Sequence, residues 1–223
     1  DGQSNVTQIL AFNIETEPPT LDDKDSDGDG ISDVDEGITD SDNDGVLDYQ
    51  DPVNDEQFMH KSISNSDSES LMKTESGLQL KVGQWSKQFD STGAQVSSQH
   101  LTPLAQSDNE KSLTGEVLDF EVHGTTTVDP FVKVVIPLTS PIAVGAEYWK
   151  YDGLNWYPFN DSGNDAIYSA QKVDGNCPDA HSDLYVVNLT PFFECILLEL
   201  EDGGPNDSDG TLNGIVRDPG GLV

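Results

Sequence analysis

Basic residues are scarce in this chain: 10 Lys and Arg stand against 42 Asp and Glu over 223 residues, a formal net charge of −32. A surface of that sign repels polyanions, which excludes nucleic acid and anionic membrane surfaces as partners. Sulfur is nearly as rare. The two cysteines, Cys177 and Cys195, and the four scattered histidines, His60, His100, His123 and His181, form no CxxC pair and no set with zinc-ligand spacing. No apolar run approaches the roughly 20 residues that a membrane-spanning helix needs, and no basic-plus-apolar leader opens the sequence. Hydrophobic residues make up 34% of the chain, below the globular norm, so the core must be concentrated in one part of it. Common catalytic signatures are missing too: there is no Gly-x-Ser-x-Gly elbow, no His-Glu-x-x-His, no phosphate loop and no dinucleotide fingerprint. Asp161-Ser162-Gly163 has the letters of an aspartic-protease triplet, but that chemistry needs two such carboxylates sharing a proton, and Asn160 and Asn164 make the stretch a turn. The expectation is a chain with no catalytic residues, whose histidines are surface side chains.

Against these absences stands a motif written twice. Asp25-Ser-Asp27-Gly-Asp29-Gly30-Ile31-Ser-Asp33-Val-Asp35-Glu36 is followed by Asp40-Ser-Asp42-Asn-Asp44-Gly45-Val46-Leu-Asp48-Tyr-Gln-Asp51. A hard divalent cation takes six to eight oxygens. Aspartates at loop positions 1, 3 and 5 supply carboxylates, glycine at 6 permits a sharp turn, the backbone carbonyl at 7 adds an oxygen, and position 9 and an acidic residue at 12 complete the shell. The spacing therefore predicts two calcium ions, one held by Asp25, Asp27, Asp29, Ile31, Asp33 and Glu36, the other by Asp40, Asp42, Asp44, Val46, Asp48 and Asp51. An acidic unstructured linker is the competing reading, but random acidity would not put both glycines at position 6.

Only three residues separate Glu36 from Asp40, too few for the flanking helices of a paired EF-hand. The loops must stack directly. This segment resembles the thrombospondin type 3 repeat, in its cysteine-free bacterial form, and the resemblance implies a chain wrapped around calcium with little hydrophobic core. From Leu21 to Glu56 the sequence holds 15 acidic residues and one lysine, leaving 27 acidic and nine basic residues elsewhere.

The remainder reads as strands. Ile9-Leu10-Ala11-Phe12-Asn13-Ile14 predicts a short strand before Pro18-Pro19, and residues 57–76, rich in Ser, Asp and Glu, read as a linker. From Gly77 onward, short β-favouring runs alternate with Gly, Pro, Asn and Asp: Leu78 to Val82, Val117 to Val122, Phe131 to Ile136, Ala146 to Tyr151, Trp156 to Phe159, Leu184 to Leu189 and Cys195 to Leu200. Seven or eight such runs, with no amphipathic helix of three turns, predict an all-β antiparallel sandwich. The expected division is a lead-in at 1–20, calcium repeats at 21–56, a linker at 57–76 and a sandwich at 77–223. Cys177 and Cys195 flank a segment that one disulfide commonly closes, with two unpaired thiols as the alternative.

Gly115 to Val122, Val134 to Leu138, Tyr148 to Asp152, Gly175-Asn-Cys177-Pro178 and the stretch from Asp202 to Gly221 resemble the bacterial surface domain called choice-of-anchor U. That resemblance implies an exported protein at the cell surface, its leader removed and its anchor elsewhere. Asp207-Ser-Asp209-Gly210 repeats the inner part of a calcium loop, so Asp207 and Asp209 are candidates for a third ion, with a network of Asx-turns as the equal alternative because Pro205 stands at position 1. Tyr148, Trp149, Tyr151, Trp156 and Tyr157 offer a sugar-stacking platform or, by strand alternation, half core and half surface. The function these features imply is a non-catalytic calcium-binding stalk, adhesin or filament subunit meeting other surface proteins or itself. A carbohydrate-binding accessory module is the alternative, and a concealed hydrolase a third.

Overall fold

A computed structural model describes residues 19–62, 71–89, 91–101 and 111–223. The run from Ile9 to Ile14 lies outside them. Two antiparallel sheets face each other. The first runs in the order β1 (Phe58–Met59), β2 (Met72–Thr74), β6 (Phe131–Pro137), β11 (Cys195–Glu201), β9 (Ala166–Ala170), β10 (Val186–Val187). The second runs β3 (Gln79–Val82), β5 (Val117–His123), β12 (Ile215–Leu222), β7 (Tyr148–Tyr151), β8 (Trp156–Pro158), with β4 (Gln95–Val96) paired to β5 beside β3. The predicted sandwich is the fold of this chain.

Alternation along the central strands builds the core. Val132, Val134 and Ile136 of β6 and Ile196, Leu198 and Leu200 of β11 point inward from one sheet, and Leu118, Phe120 and Val122 of β5 with Val216 of β12 meet them from the other. Side chains at i and i+2 share a face of a strand, so a period of two in the sequence becomes one apolar layer. The longest registers run β11 against β6 and β12 against β5, which places the C-terminal stretch in the middle of the second sheet.

The outer face of the second sheet is covered as well. Val96, Leu101, Val117, Trp149, Tyr151, Trp156 and Val223 form a second apolar cluster, against which Trp85 and Phe89 pack from the short helix α2 (Gln84–Gln88) and its C-cap. Asp119, on the same outer face, accepts hydrogen bonds from the backbone N–H groups of Trp85 (2.6 Å) and Ser86 (2.8 Å), which fixes the start of that helix. The covering layer corrects the reading of the aromatics. Tyr148 lies in the core between the sheets, Trp149, Tyr151 and Trp156 lie under the outer cover, and only Tyr157 and its neighbours reach solvent, so no platform of five rings faces outward.

Two further expectations change. Residues 57–76 are not simply a linker, because they supply β1 and β2, whose Met59 and Met72 are wholly buried in the main core. The predicted strand from Leu184 to Leu189 shortens to β10, where both valines are exposed at the sheet edge. Cys177 and Cys195 form the disulfide, with Cα atoms 5.7 Å apart, tying the loop after β9 to the first residue of β11. Among the described residues no helix is long and apolar enough to cross a membrane.

Candidate metal centres

The two acidic repeats share their main turn contacts. At position 6 the N–H of Gly30 donates to Asp25 (3.2 Å) and that of Gly45 to Asp40 (3.1 Å). At position 7 the N–H groups of Ile31 and Val46 donate to Asp29 and Asp44, both at 2.7 Å. Each loop has positive φ at positions 4 and 6: Gly28 (87°) and Gly30 (98°) in the first, Asn43 (60°) and Gly45 (100°) in the second. Glycine takes that conformation without strain and asparagine tolerates it better than other residues. Each repeat then ends in a single turn, α1 (Asp33–Glu36) or the 3₁₀ turn Asp48–Gln50, and position 12 is near enough for Glu36 to feel the charges of Asp25, Asp27 and Asp29, and for Asp42 and Asp44 to feel that of Asp51.

Position 9 departs from the ligand list. Asp33 accepts from the N–H (2.8 Å) and hydroxyl (2.7 Å) of Ser26, and Asp48 from the N–H and hydroxyl of Ser41, both at 2.7 Å, and from the Thr39 hydroxyl. Both oxygens of each carboxylate are engaged by the loop itself. Asp33 and Asp48, expected among the ligands, clamp position 2 to position 9 through these bonds. Burial works against the charge of Asp48, yet the hydrogen bonds from Thr39 and Ser41 win and hold its carboxyl below the usual range.

The remaining acids converge. Asp25, Asp27 and Asp29 bring one oxygen each within 4.8 Å of one another, and so do Asp40, Asp42 and Asp44. Five carboxylate oxygens in these loops are buried without a hydrogen-bond donor among the described residues: one each on Asp27 and Glu36 in the first repeat, and one each on Asp42, Asp44 and Asp51 in the second. Buried anionic oxygens without a partner are costly. The cost shows in their proton affinities. Burial first, then the charges of Asp27, Asp29, Asp33 and Asp25, raise Glu36 to about 7. Burial and the charge of Asp51 raise Asp42 to about 6 and Asp44 to about 8. Burial is also the main cause of a raised value at Asp27. Each loop could therefore hold a metal ion, with the carbonyls of Ile31 and Val46 accepting no backbone hydrogen bond among the described residues.

The second repeat is not a free connector. Val46 is buried in the main core, the N–H of Val82 on β3 donates to the carbonyl of Asp44 (2.8 Å), and the Lys81 ammonium donates to the carbonyl of Asn43 (2.5 Å). His60, expected on the surface, is wholly buried. Its Nδ1 lies 3.3 Å from Asp51 and its Nε2 donates to the carbonyl of Thr92, so it props the closing residue of the second loop against the sandwich. No sequence signal pointed to this contact, since a lone His beside polar residues has no diagnostic spacing.

Asp207 and Asp209 are not brought together into a comparable cluster. Asp207 accepts from the N–H groups of Gly203 (2.9 Å) and Arg217 (3.0 Å), and Asp209 from the Thr211 N–H (2.9 Å), the Asn213 amide (3.0 Å) and the Arg217 guanidinium. Every oxygen has a protein donor, so the turn network describes this stretch and a third ion is not needed. No protein family, curated protein or solved structure matches the chain.

Proposed function

We propose that the chain is a calcium-organised structural module of an exported protein. The observation that carries this reading is the set of five buried, donor-less carboxylate oxygens, at positions 3 and 12 of both loops and at position 5 of the second. A divalent cation removes their cost. Calcium suits the donors, which are hard carboxylate and carbonyl oxygens in a glycine-relaxed loop, whereas magnesium demands tighter octahedral geometry and zinc prefers nitrogen and sulfur. Asp25, Asp27, Asp29, Glu36 and the Ile31 carbonyl would hold one ion; Asp40, Asp42, Asp44, Asp51 and the Val46 carbonyl would hold the other. Four carboxylates against one 2+ ion leave each site formally at −2, so binding relieves part of the repulsion within the repeats.

The docking of the second loop gives this binding a structural consequence. Calcium would stiffen a joint on the edge of a sandwich rather than a free spacer, and such a joint suits a cell-surface stalk or adhesin exposed to extracellular calcium. The disulfide fits an oxidising compartment. The thrombospondin type 3 and choice-of-anchor U resemblances point to the same setting, on the surface of a bacterium, with partners that are other surface proteins or further copies of the chain. Isothermal titration calorimetry of the chelated protein tests the reading: two calcium ions are expected, with dissociation constants of roughly 0.1 to 1 mM. Failure of millimolar calcium to bind, or equal binding after Asp27→Asn and Asp42→Asn together, would remove the proposal.

A further inference from the structure

The main core contains an ammonium and a carboxylate that the metal sites do not use. Lys150 on β7 and Asp218 on β12 both have side chains with 0% exposure, and Lys150 Nζ lies 2.8 Å from Asp218 Oδ1. The register explains the meeting. Lys150 is paired with Gly220, so Asp218, two residues back along β12, is its diagonal neighbour on the same face. That face is the inner one, where Asp218 stands opposite Phe120, and Val122 opposite Val216. Gly220 keeps the place clear: a Cβ there would lie 2.7 Å from the Tyr148 ring, and the ring occupies that space to donate its hydroxyl to Asp218 Oδ1 (3.1 Å).

The pair is poorly satisfied as an ion pair. Despite the short distance, Lys150 Nζ makes no contact of hydrogen-bonding geometry among the described residues, and Asp218 Oδ2 has no donor. Lys61, the other wholly buried lysine, shows the contrast, because it donates to Glu116 (2.7 Å) and to the carbonyl of Pro137 (2.8 Å). A buried ammonium without such acceptors favours its neutral form, and burial does lower Lys150, against the opposing pull of Asp218. The Lys150 nitrogen and the Asp218 carboxyl are thus held in contact and shielded from water.

We propose that Lys150 and Asp218 form an intramolecular amide cross-link between β7 and β12. The amine lone pair adds to Asp218 Cγ, forming the C–N bond and a tetrahedral adduct whose negative oxygen is Oδ1, under the Tyr148 hydroxyl. Two of the three ammonium protons pass to Oδ2, one before the addition and one after it; the Cγ–Oδ2 bond then breaks, and Oδ2 departs as water while Oδ1 regains its double bond. Nothing is oxidised or reduced, and no co-reactant is needed. Fixed contact in the fold replaces the collision that a bimolecular condensation would require, and exclusion of water from the core favours the amide over its hydrolysis. The link would fasten the central strand of the second sheet to its neighbour, which suits a chain that carries load.

Intact mass spectrometry of the reduced, unfolded full chain reads the result directly. The expected mass is that of the sequence less one water molecule. Tryptic mapping should return one branched peptide, uncut after Lys150, joined to the peptide that begins at Asp218. Lys150→Met should restore the full sequence mass. A wild-type protein with full mass and native circular dichroism would overturn the proposal. So would loss of water mapped to an Asp-Gly step as a succinimide.

Discussion

The glycines at position 6 of the two repeats share a backbone conformation but differ in their surroundings, and the difference makes a residue-scale test. A Cβ on Gly30 would meet nothing within 4 Å, while one on Gly45 would lie 2.7 Å from Val82 Cγ2. Gly30→Ala should cost only the left-handed strain, about 1–2 kcal/mol. Gly45→Ala should cost more, because it also presses the loop off β3; thermal unfolding of both variants with calcium present measures the difference. Asp48 makes a second case. As a clamp rather than a ligand, Asp48→Ala should leave two binding sites in calorimetry but destabilise the second loop by about 1–3 kcal/mol through its orphaned N–H and hydroxyl donors. The sequence named both glycines correctly, because a positive φ leaves few residue choices. For Asp33 and Asp48, loop spacing fixes the place on the backbone, and the structure adds the serine toward which each side chain turns.

At the scale of elements, the repeats tie metal binding to protons. Glu36, Asp42 and Asp44 have proton affinities raised to about 7, 6 and 8 in the folded, metal-free chain. A carboxyl raised on folding stabilises the fold while protonated, below its unfolded value, and that contribution is lost as pH rises through the folded value. The metal-free repeats should therefore loosen between about pH 5 and pH 8. Calcium reverses the trend, since it requires the deprotonated acids. Calcium affinity should climb across the same window, and addition of calcium to an unbuffered sample near pH 6.5 should release protons that a pH-stat counts. The disulfide acts on another element: opening Cys177–Cys195 frees the loop after β9 from β11, with an expected loss of about 3 kcal/mol for a loop of this size. Denaturant titration with and without reductant measures it. Strand positions were legible from their period of two, but the burial of Trp149, Tyr151 and Trp156 was not, because the residues that cover the outer face, Trp85, Phe89, Val96 and Leu101, come from a short helix, a two-residue strand and a turn with no periodic signal of their own.

For the whole molecule, the second repeat makes calcium a stabiliser of the sandwich and not of the loops alone. Val46 contributes to the main core and Asp44 to the hydrogen bonding of β3, so loss of the ion from this loop should reach the domain. Calcium in hundredfold excess over its dissociation constant is expected to add about 2.7 kcal/mol per site. The melting temperature should fall on chelation and recover with calcium but not with sodium at equal ionic strength. Trypsin provides a local reading of the same event. The carbonyl of Lys24 accepts from the Asp33 N–H (2.7 Å) as long as the first loop is closed, so cleavage after Lys24 should accelerate when calcium is removed.

Local chemistry was decided by the sequence: doubled acidic spacing with glycine at position 6 fixes the loop geometry, and alternating β-branched and aromatic residues fix the strands, since both depend on neighbours within a few positions. The tertiary structure alone decided what lies far apart in the chain yet in contact. Val46 against the core, His60 against the carbonyl of Thr92, and Lys150 against Asp218 arise from the way the sheets and loops close, which brings residues dozens of positions apart into contact. No local pattern encodes that pairing, because the side chains involved acquire their meaning only from the surfaces that close over them.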